Sequence, residues 1–251
     1  MASVMRYTQE ETILYGINTL SVLLEHDPRR IKRILYLKKQ KSGAREAMIE
    51  RAENLGIEVQ VAKERQLNHY LPETHHQGVM AFVKPKALIG WDELIDTGSS
   101  QLLVAADQVT DPRNFGAILR SAEAFGVQGA LITSNRCARP GPTVAKTSAG
   151  ASELIPIAME TNLSTSLEAA QKKGYQVVGA AMNGRPLSQV DWRLPSVIVI
   201  GAEGKGLREK TRSRCDELVS IPMVGRTESL NASVAASILF YEATRHTHQT
   251  Y

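Results

Sequence analysis

The strongest constraint on the fold is a series of apolar runs that alternate with helical segments from residue 101 onward. Strands of a parallel sheet that is covered on both faces have near-continuous apolar sequences of this kind. The predicted strands are 102–107, 129–133, 175–182, 196–202 and 217–223, and the predicted helices are 114–125, 163–173, 207–212 and 230–244. This alternation predicts an α/β fold with a doubly wound domain.

The first part of the chain predicts a second, smaller α/β unit. We predict helices at 14–25, 44–55 and 64–70, with Gly56 ending the second of them. Strand patterns are present at 34–37, in the segment IEVQVA and at 79–83. Residues 86–100 contain glycines and paired serines, which favour a linker with one helical turn at 91–95. The predicted domains are therefore 1–85 and 101–251, joined by the linker 86–100.

Composition limits the class of protein. The 251 residues carry a net charge of +4, which is compatible with a partner that contains phosphates but does not require one. The two cysteines, Cys137 and Cys215, are far apart. His75 and His76 lie in a predicted turn, and His246 and His248 lie in a polar tail, so we expect neither a disulfide nor a metal site. The sequence has no signal peptide pattern and no membrane-spanning run. We therefore expect a cytoplasmic protein with no membrane partner.

A basic segment at 29–41 surrounds the first predicted strand. It has seven Lys and Arg residues and no acidic residue. Such a segment either contacts phosphates or is a solvated strand end, and the pattern favours neither interpretation.

Three further stretches have features of a binding site. In the first, Asp111 and Pro112 predict a helix start, and Arg113 and Arg120 lie on one face of the helix that follows. A helix N-terminus with two guanidinium groups would bind a phosphate. The alternative is an exposed helix with two solvated arginines.

The second stretch is a glycine-rich turn at 201–206 that follows a predicted strand. Ligands bind at the carboxyl ends of strands in open α/β sheets, and glycines allow a ligand to approach the backbone. The spacing matches neither the dinucleotide-binding nor the P-loop pattern, which argues against a nicotinamide cofactor and a nucleoside triphosphate. Glu203 either accepts a hydrogen bond from a ligand or pairs with Lys205 or Arg208.

The third stretch is 220–243, in which an apolar run leads through a polar loop at 225–228 into a helix. Ser229 and Asn231 lie at the predicted helix N-terminus, where backbone N–H groups are free. Small residues from Ala232 to Ser237 occupy one flank of the helix, which indicates close packing there.

Together these three stretches resemble the three motifs of the SpoU/TrmH family of RNA ribose 2'-O-methyltransferases. The matching patterns are N-x-x-x-x-x-R at 114–120, G-A-E-G-x-G at 201–206, and I-P-M followed by S-L-N-x-S-x-A at 221–235. Their order and spacing also match, and the resemblance covers about the last 150 residues. The first 85 residues resemble the ribosomal-protein-like substrate-binding domain of the ribosomal RNA guanosine methyltransferase branch.

The resemblance implies a trefoil knot, a homodimer and S-adenosylmethionine as the cofactor. It also assigns candidate site residues. The cofactor would contact Gly201, Ile221 and Leu230, with Thr133 and Met223 as further candidates. The catalytic candidates are Arg120, Asn114, Glu203, Ser229 and Asn231.

Two roles for Arg120 stay open at this point. The family resemblance implies a general base, but a guanidinium is a poor base at neutral pH unless it is strongly perturbed. A clamp on the neighbouring phosphate is physically easier. Arg120 could also act on the site of the other subunit of a dimer.

The resemblance implies a ribosomal RNA substrate, with a guanosine of 23S RNA as the main expectation. The alternatives are a transfer RNA nucleotide, a ribosomal RNA uridine, or an RNA-binding protein that keeps the fold without catalysis. The segment 135–147 is basic and rich in proline, so it is either a loop that contacts the target RNA or a stiff connection.

Overall fold

The computed structural model describes residues 11–38, 43–72, 74–96 and 101–245. The chain divides into two compact units. The first comprises Met1–Ala87 and Pro140–Leu154, and the second comprises Leu88–Arg139 and Ile155–Tyr251. The predicted linker falls partly outside the described residues, as do Lys39 and Lys41 of the basic segment and the C-terminal histidines.

The first unit is built on a four-stranded mixed sheet. The strand order is β1-β4-β2-β3, in which β4 is antiparallel to β1 and β2 while β2 and β3 are parallel. The strands are β1 (Thr12–Tyr15), β2 (Ile31–Leu37), β3 (Glu58–Ala62) and β4 (Val79–Val83). The helices are α1 (Ile17–His26), α2 (Gly43–Asn54) and α3 (Glu64–Tyr70), with a short 3-10 turn at Pro28–Arg30.

Both faces of this sheet are covered. On β4, Val79, Ala81 and Val83 face a core that includes α1 and α2, whereas Met80 and Phe82 face a core that includes α3. Successive side chains of a strand point to opposite faces, so all five residues of β4 are buried. This explains why the strand sequence is apolar throughout.

The predicted helix at 14–25 was wrong at its start. Thr12–Tyr15 is strand β1, and the helix begins only at Ile17. Gly16 separates the two elements with a φ of 91°, a backbone conformation that favours glycine. Pairing of Ile13 with Phe82 in β4 outweighs the helical periodicity of the sequence. The second predicted helix ends as expected, because Gly56 has a φ of 72°.

The segment Pro140–Leu154 belongs to the first unit although it lies far along the chain. It forms two short helices, α6 (Pro142–Thr147) and α7 (Ala151–Leu154). Ala145 is part of the core next to α1 and α2, and its carbonyl oxygen accepts a hydrogen bond from Thr19 Oγ1 at 3.1 Å. Much of the predicted 135–147 loop is therefore packed structure. The assignment of functional domains to 1–85 and 101–251 stays a prediction.

A buried cluster of charges connects this segment to the rest of the first unit. Arg30 Nη1 lies 2.7 Å from Glu153 Oε2, and the two side chains are 14% and 4% exposed. Lys86 Nζ donates a hydrogen bond to the carbonyl oxygen of Ser152 at 2.5 Å. Burial lowers the pKa of Lys86 to about 8, against the opposing effect of Glu153.

The second unit contains a six-stranded sheet in which all neighbouring strands are parallel. The strand order is β10-β8-β9-β5-β6-β7. The strands are β5 (Leu102–Asp107), β6 (Gly129–Thr133), β7 (Ile157–Glu160), β8 (Gln176–Pro186), β9 (Ser196–Gly201) and β10 (Glu217–Ser220). The predicted parallel α/β architecture is confirmed.

Helices cover both faces of this sheet. The bounds are α4 (Trp91–Ile95), α5 (Pro112–Ala124), α8 (Leu163–Lys172), α9 (Glu209–Arg212) and α10 (Ala232–Thr244), with a 3-10 turn at Leu187–Gln189. The helices α4 and α8 pack on one face, and α5 packs against α10. Ser237 Oγ of α10 donates to Ser121 Oγ of α5 at 2.7 Å, which is possible because small residues let the helices approach closely.

Several element limits differ from the prediction. The edge strand β7 was missed because Ile157–Glu160 has only four residues, of which two are fully buried. Strand β8 runs to Pro186, whereas β10 ends at Ser220 and leaves the rest of its apolar run as loop. Helix α10 begins at Ala232 because Asn231 caps it.

The lowered pKa of Lys86 predicts how stability depends on pH. The ordinary pKa of lysine is 10.5, so between pH about 8 and about 10.5 the unfolded chain binds a proton that the folded chain has lost. The free energy of unfolding should rise with pH across this window. Replacing Lys86 by Met should remove this part of the rise. Urea denaturation at several pH values measures the free energy of unfolding and so its dependence on pH.

The exposed Lys84 provides the control, and Lys84→Met should leave the slope of stability against pH as in the wild type. Parallel curves for wild type and Lys86→Met would contradict the assignment.

Candidate active site

A cavity of about 370 Å³ opens in the second unit at the carboxyl ends of β8, β9 and β10. Its lining is mainly apolar. Six of the residues singled out from the sequence line it: Gly201, Glu203, Ile221, Met223, Ser229 and Leu230. The cavity therefore lies at the position where open α/β sheets bind their ligands.

The glycine-rich turn forms one wall of the cavity in a closed loop. The backbone N–H and carbonyl groups of Ala202 and Gly206 exchange two hydrogen bonds, at 3.2 and 2.8 Å. Gly204 and Gly206 have φ values of 75° and 65°, which favour glycine. A Cβ atom on Gly201 would lie 2.3 Å from the carbonyl carbon of Gly206, so the loop requires glycine there. We call residues 201–206 the glycine loop.

The second and third motifs meet the first through a chain of side-chain hydrogen bonds. Asn114 Nδ2 donates to Glu203 Oε2 at 2.9 Å, and Asn231 Nδ2 donates to Asn114 Oδ1 at 2.9 Å. Asn231 Oδ1 in turn accepts from the backbone N–H and the hydroxyl of Ser233, at 2.9 and 2.6 Å. Three of the five catalytic candidates are thus joined directly.

Of the alternatives that the sequence left open for Glu203, the structure does not show pairing with Lys205 or Arg208. Glu203 accepts from Asn114, while Arg208 pairs with Asp107 instead. Arg208 donates to Asp107 Oδ1 from Nε at 2.6 Å and to Oδ2 from its backbone N at 2.9 Å. Sequence reasoning placed Asp107 only at the end of a strand. The position of Asp107, a single acidic residue at the end of an apolar run, was the feature of the sequence that could have indicated this pairing.

The remaining candidates lie outside this chain of bonds. Ser229 is exposed at the cavity. Arg120 is exposed on α5, makes no ion pair with a described residue, and is not part of the cavity lining. Thr133 is 4% exposed, and its hydroxyl donates to the carbonyl oxygen of Asn135 at 2.8 Å. It does not line the cavity either.

One wall of the cavity was not foreseen from the sequence. Ala180, Ala181 and Met182 contribute it from the second half of β8, and the Met182 residue is 71% exposed. The feature of the sequence that could have indicated this wall is the apolar run that continues to the exposed end of the strand. Gly184 lets this strand end approach β10, since a Cβ atom there would lie 2.5 Å from the backbone of Leu218.

The two cysteines do not form a disulfide with each other. Both are unpaired thiols. Burial raises the pKa of the Cys215 thiol to about 12, with Asp216 acting in the same direction, so it stays protonated and unreactive at neutral pH. Within the described ranges no group of His, Cys, Asp and Glu could hold a metal ion, and no helix is long and apolar enough to cross a membrane.

The basic segment of the first unit is partly committed to internal contacts. Arg30 pairs with the buried Glu153, and the Arg33 guanidinium lies over the Phe82 ring at 4.2 Å from its centroid. Arg29, Lys32 and Lys38 are exposed, although Lys32 pairs with Glu11. The surface available for phosphates is therefore smaller than the sequence indicated.

This arrangement can hold a mainly apolar ligand against backbone edges, with a polar chain of amides and one carboxylate nearby.

Comparisons with known proteins identify the family. The model of the SpoU rRNA methylase family matches residues 101–241, and the model of the RNA 2'-O ribose methyltransferase substrate-binding domain matches residues 13–88. The chain belongs to the SpoU rRNA methylase family.

Named relatives are similar over nearly the whole chain. The chain is 38% identical to the 23S rRNA (guanosine-2'-O-)-methyltransferase RlmB of Shewanella oneidensis, over 94% of this chain and 98% of that protein. It is 39% identical to the protein of the same name from Pseudomonas aeruginosa, over 92% and 95%. The solved structure of the SpoU methyltransferase AviRb from Streptomyces viridochromogenes with AdoMet has a TM-score of 0.78 at 26% identity, covering 95% of this chain and 91% of that one.

Proposed function

We propose that this protein transfers a methyl group from S-adenosylmethionine to the ribose 2'-hydroxyl of a guanosine in 23S ribosomal RNA. The observation that carries the proposal is the cavity built by the second and third family motifs, joined to the first motif by the bonds from Glu203 through Asn114 to Asn231. The RlmB relatives have this activity in their names and align over more than nine-tenths of the chain.

The cavity fits S-adenosylmethionine. Its volume of about 370 Å³ lies within the range of small-molecule sites, and the three positions expected to contact the cofactor, Gly201, Ile221 and Leu230, all line it. The bound cofactor would supply an electrophilic methyl group on a sulfonium. The AviRb structure with AdoMet supports this assignment. Met223 is a further candidate, and Thr133 would need another role, since it lies away from the lining.

The residues of this chain have mainly to position the ribose hydroxyl and help it lose its proton. Asn114 and Asn231 each use one amide N–H in the observed chain of bonds and retain a second N–H for the RNA. Ser229, exposed at the cavity, can donate to or accept from the hydroxyl. Glu203 orients Asn114 by accepting its hydrogen bond.

Arg120 would act as a clamp on the phosphate next to the target ribose. Its exposed position, without an acidic partner among the described residues, suits a group that binds an anion from another molecule. Because Arg120 is not part of the cavity lining, we propose that it completes the site of a second subunit in a homodimer.

We propose three further properties, which family membership supports. The loops at 201–206 and 221–230 belong to a trefoil knot. The first 85 residues bind the substrate RNA, and 86–100 link them to the methyltransferase domain at 101–251. The protein acts on ribosomal RNA in the cytoplasm. The reaction uses no metal ion.

Mass-spectrometric mapping of ribose methylation tests the function. Unmodified ribosomal and transfer RNA are incubated with the protein and S-adenosylmethionine, and we expect a new 2'-O-methylguanosine in 23S RNA alone. Gly201→Ala should lose this product because the added Cβ meets the Gly206 backbone. Gly90→Ala should keep it, because its Cβ meets only Glu93 at 3.9 Å.

Methylation confined to transfer RNA would contradict the substrate and leave the chemistry standing. Absence of methylation in every RNA would contradict the enzymatic proposal and favour the binding-protein alternative.

The role of Arg120 can be tested by two substitutions. Arg120→Ala should lower kcat by about 10²-fold or more, the usual size of a lost charge contact or proton transfer. A clamp predicts intermediate activity for Arg120→Lys, since lysine keeps the charge without the fork of donors. Initial rates of methyl transfer to 23S RNA give both values, and Arg193→Ala, on an exposed surface pair, is the control.

Near-wild-type activity of Arg120→Lys would exclude a general base. Near-wild-type activity of Arg120→Ala would exclude both roles.

A further inference from the structure

We propose that Asp107 is a positioning residue that, through Arg208, holds the glycine loop in the conformation that binds the cofactor. This inference rests on the proposed function, in which the loop contacts S-adenosylmethionine. Asp107 is neither a motif position nor part of the cavity lining, and its carboxylate is fully buried at the end of the central strand β5.

The glycine loop is fixed at both of its ends by the same residue. At its entry, Gly201 lies opposite Asp107 in the register of β9 with β5. Just after its exit, Arg208 donates to both carboxylate oxygens, with Nε at 2.6 Å and the backbone N at 2.9 Å. One residue therefore sets the distance between the two ends of the loop, with its backbone at the entry and its carboxylate at the exit.

Both hydrogen bonds to the Asp107 carboxylate come from Arg208, so this carboxylate restrains one point of the chain and not several. Among the described residues, no other donor forms a hydrogen bond with the Asp107 side chain. A buried carboxylate is unfavourable unless it is paired and hydrogen-bonded. The chain at the exit of the loop can therefore move away from Arg208's present position only by exposing or unpairing the Asp107 charge.

The consequence of this constraint reaches the cofactor and the first motif. Gly201, Ala202, Glu203 and Gly206 all line the cavity. Among the residues that the structure describes, the hydrogen bonds that hold the inner part of the loop are those between Ala202 and Gly206 and the one that Asn114 donates to Glu203. A shift of the exit at Arg208 would widen the loop, misplace its backbone edge against the cofactor and displace Glu203 from Asn114.

The test is the affinity for S-adenosylmethionine, measured by isothermal titration calorimetry on the full-length protein. Asp107→Asn keeps the size of the side chain but removes its charge, and its amide nitrogen would face one of the two Arg208 donors, the backbone N–H or Nε–H. We expect the dissociation constant to rise about tenfold or more, equivalent to about 1.4 kcal/mol and within the range for a hydrogen bond to a charged group. The KM for RNA should change much less.

Arg208→Ala should give a similar rise in the dissociation constant, and Arg208→Lys should restore part of the affinity. If the two residues act through each other, the double variant Asp107→Asn/Arg208→Ala should be no weaker than the weaker single variant. The matched control is Arg214→Ala, whose side chain is also 45% exposed and also pairs with a carboxylate, that of Glu168. It should bind with wild-type affinity.

If Asp107→Asn does not fold, the Arg208 variants decide, because that side chain is half exposed. An unchanged affinity in Arg208→Ala, or additive effects in the double variant, would overturn the inference. The proposed cofactor site would still stand in that case, provided that the wild-type protein binds S-adenosylmethionine. Failure of the wild-type protein to bind S-adenosylmethionine would contradict the proposed function itself.

Discussion

The chain of hydrogen bonds from Glu203 through Asn114 to Asn231 is the constraint on which the site depends. Its direction is fixed from both ends. Asn231 must present its oxygen to the backbone N–H of Ser233 to cap α10, so its amide nitrogen faces Asn114. Asn114 therefore presents its oxygen to Asn231 and its nitrogen to Glu203. An ionised carboxylate has no proton to donate, so it can only accept this bond. Each residue is needed for the orientation of the next.

The parallel sheet is what brings these residues together. The first motif follows β5, the glycine loop follows β9, and the third motif follows β10, and carboxyl ends of parallel strands lie along one edge of a sheet. The two strands β5 and β9 are direct neighbours, so Asn114 and Glu203 are close although 89 residues separate them. The cavity forms beside them, where β8 and β10 meet at the bulge between Leu218 and Val219.

The sequence predicted what depends on local pattern and missed what depends on distant contacts. Buried strands such as 102–107 and 129–133 were predicted with their observed limits, because apolar composition over a whole run reflects burial on both faces. The second half of the strand Thr12–Tyr15 was predicted as the start of a helix, since only pairing with β4 makes it a strand. The place of Pro140–Leu154 in the first unit and the bond between Asp107 and Arg208 join residues too far apart for any periodicity to indicate.

The most direct test of this account is the single-turnover rate of methyl transfer by Asn114→Asp. The substitution keeps the side-chain shape but turns the donor to Glu203 into a second carboxylate, so the bond is replaced by repulsion. We predict a rate at least about tenfold lower. Asn162→Asp is the control, because the Asn162 side chain caps α8 and aspartate caps equally well. A wild-type rate for Asn114→Asp would contradict the claim that the three motifs act through this chain.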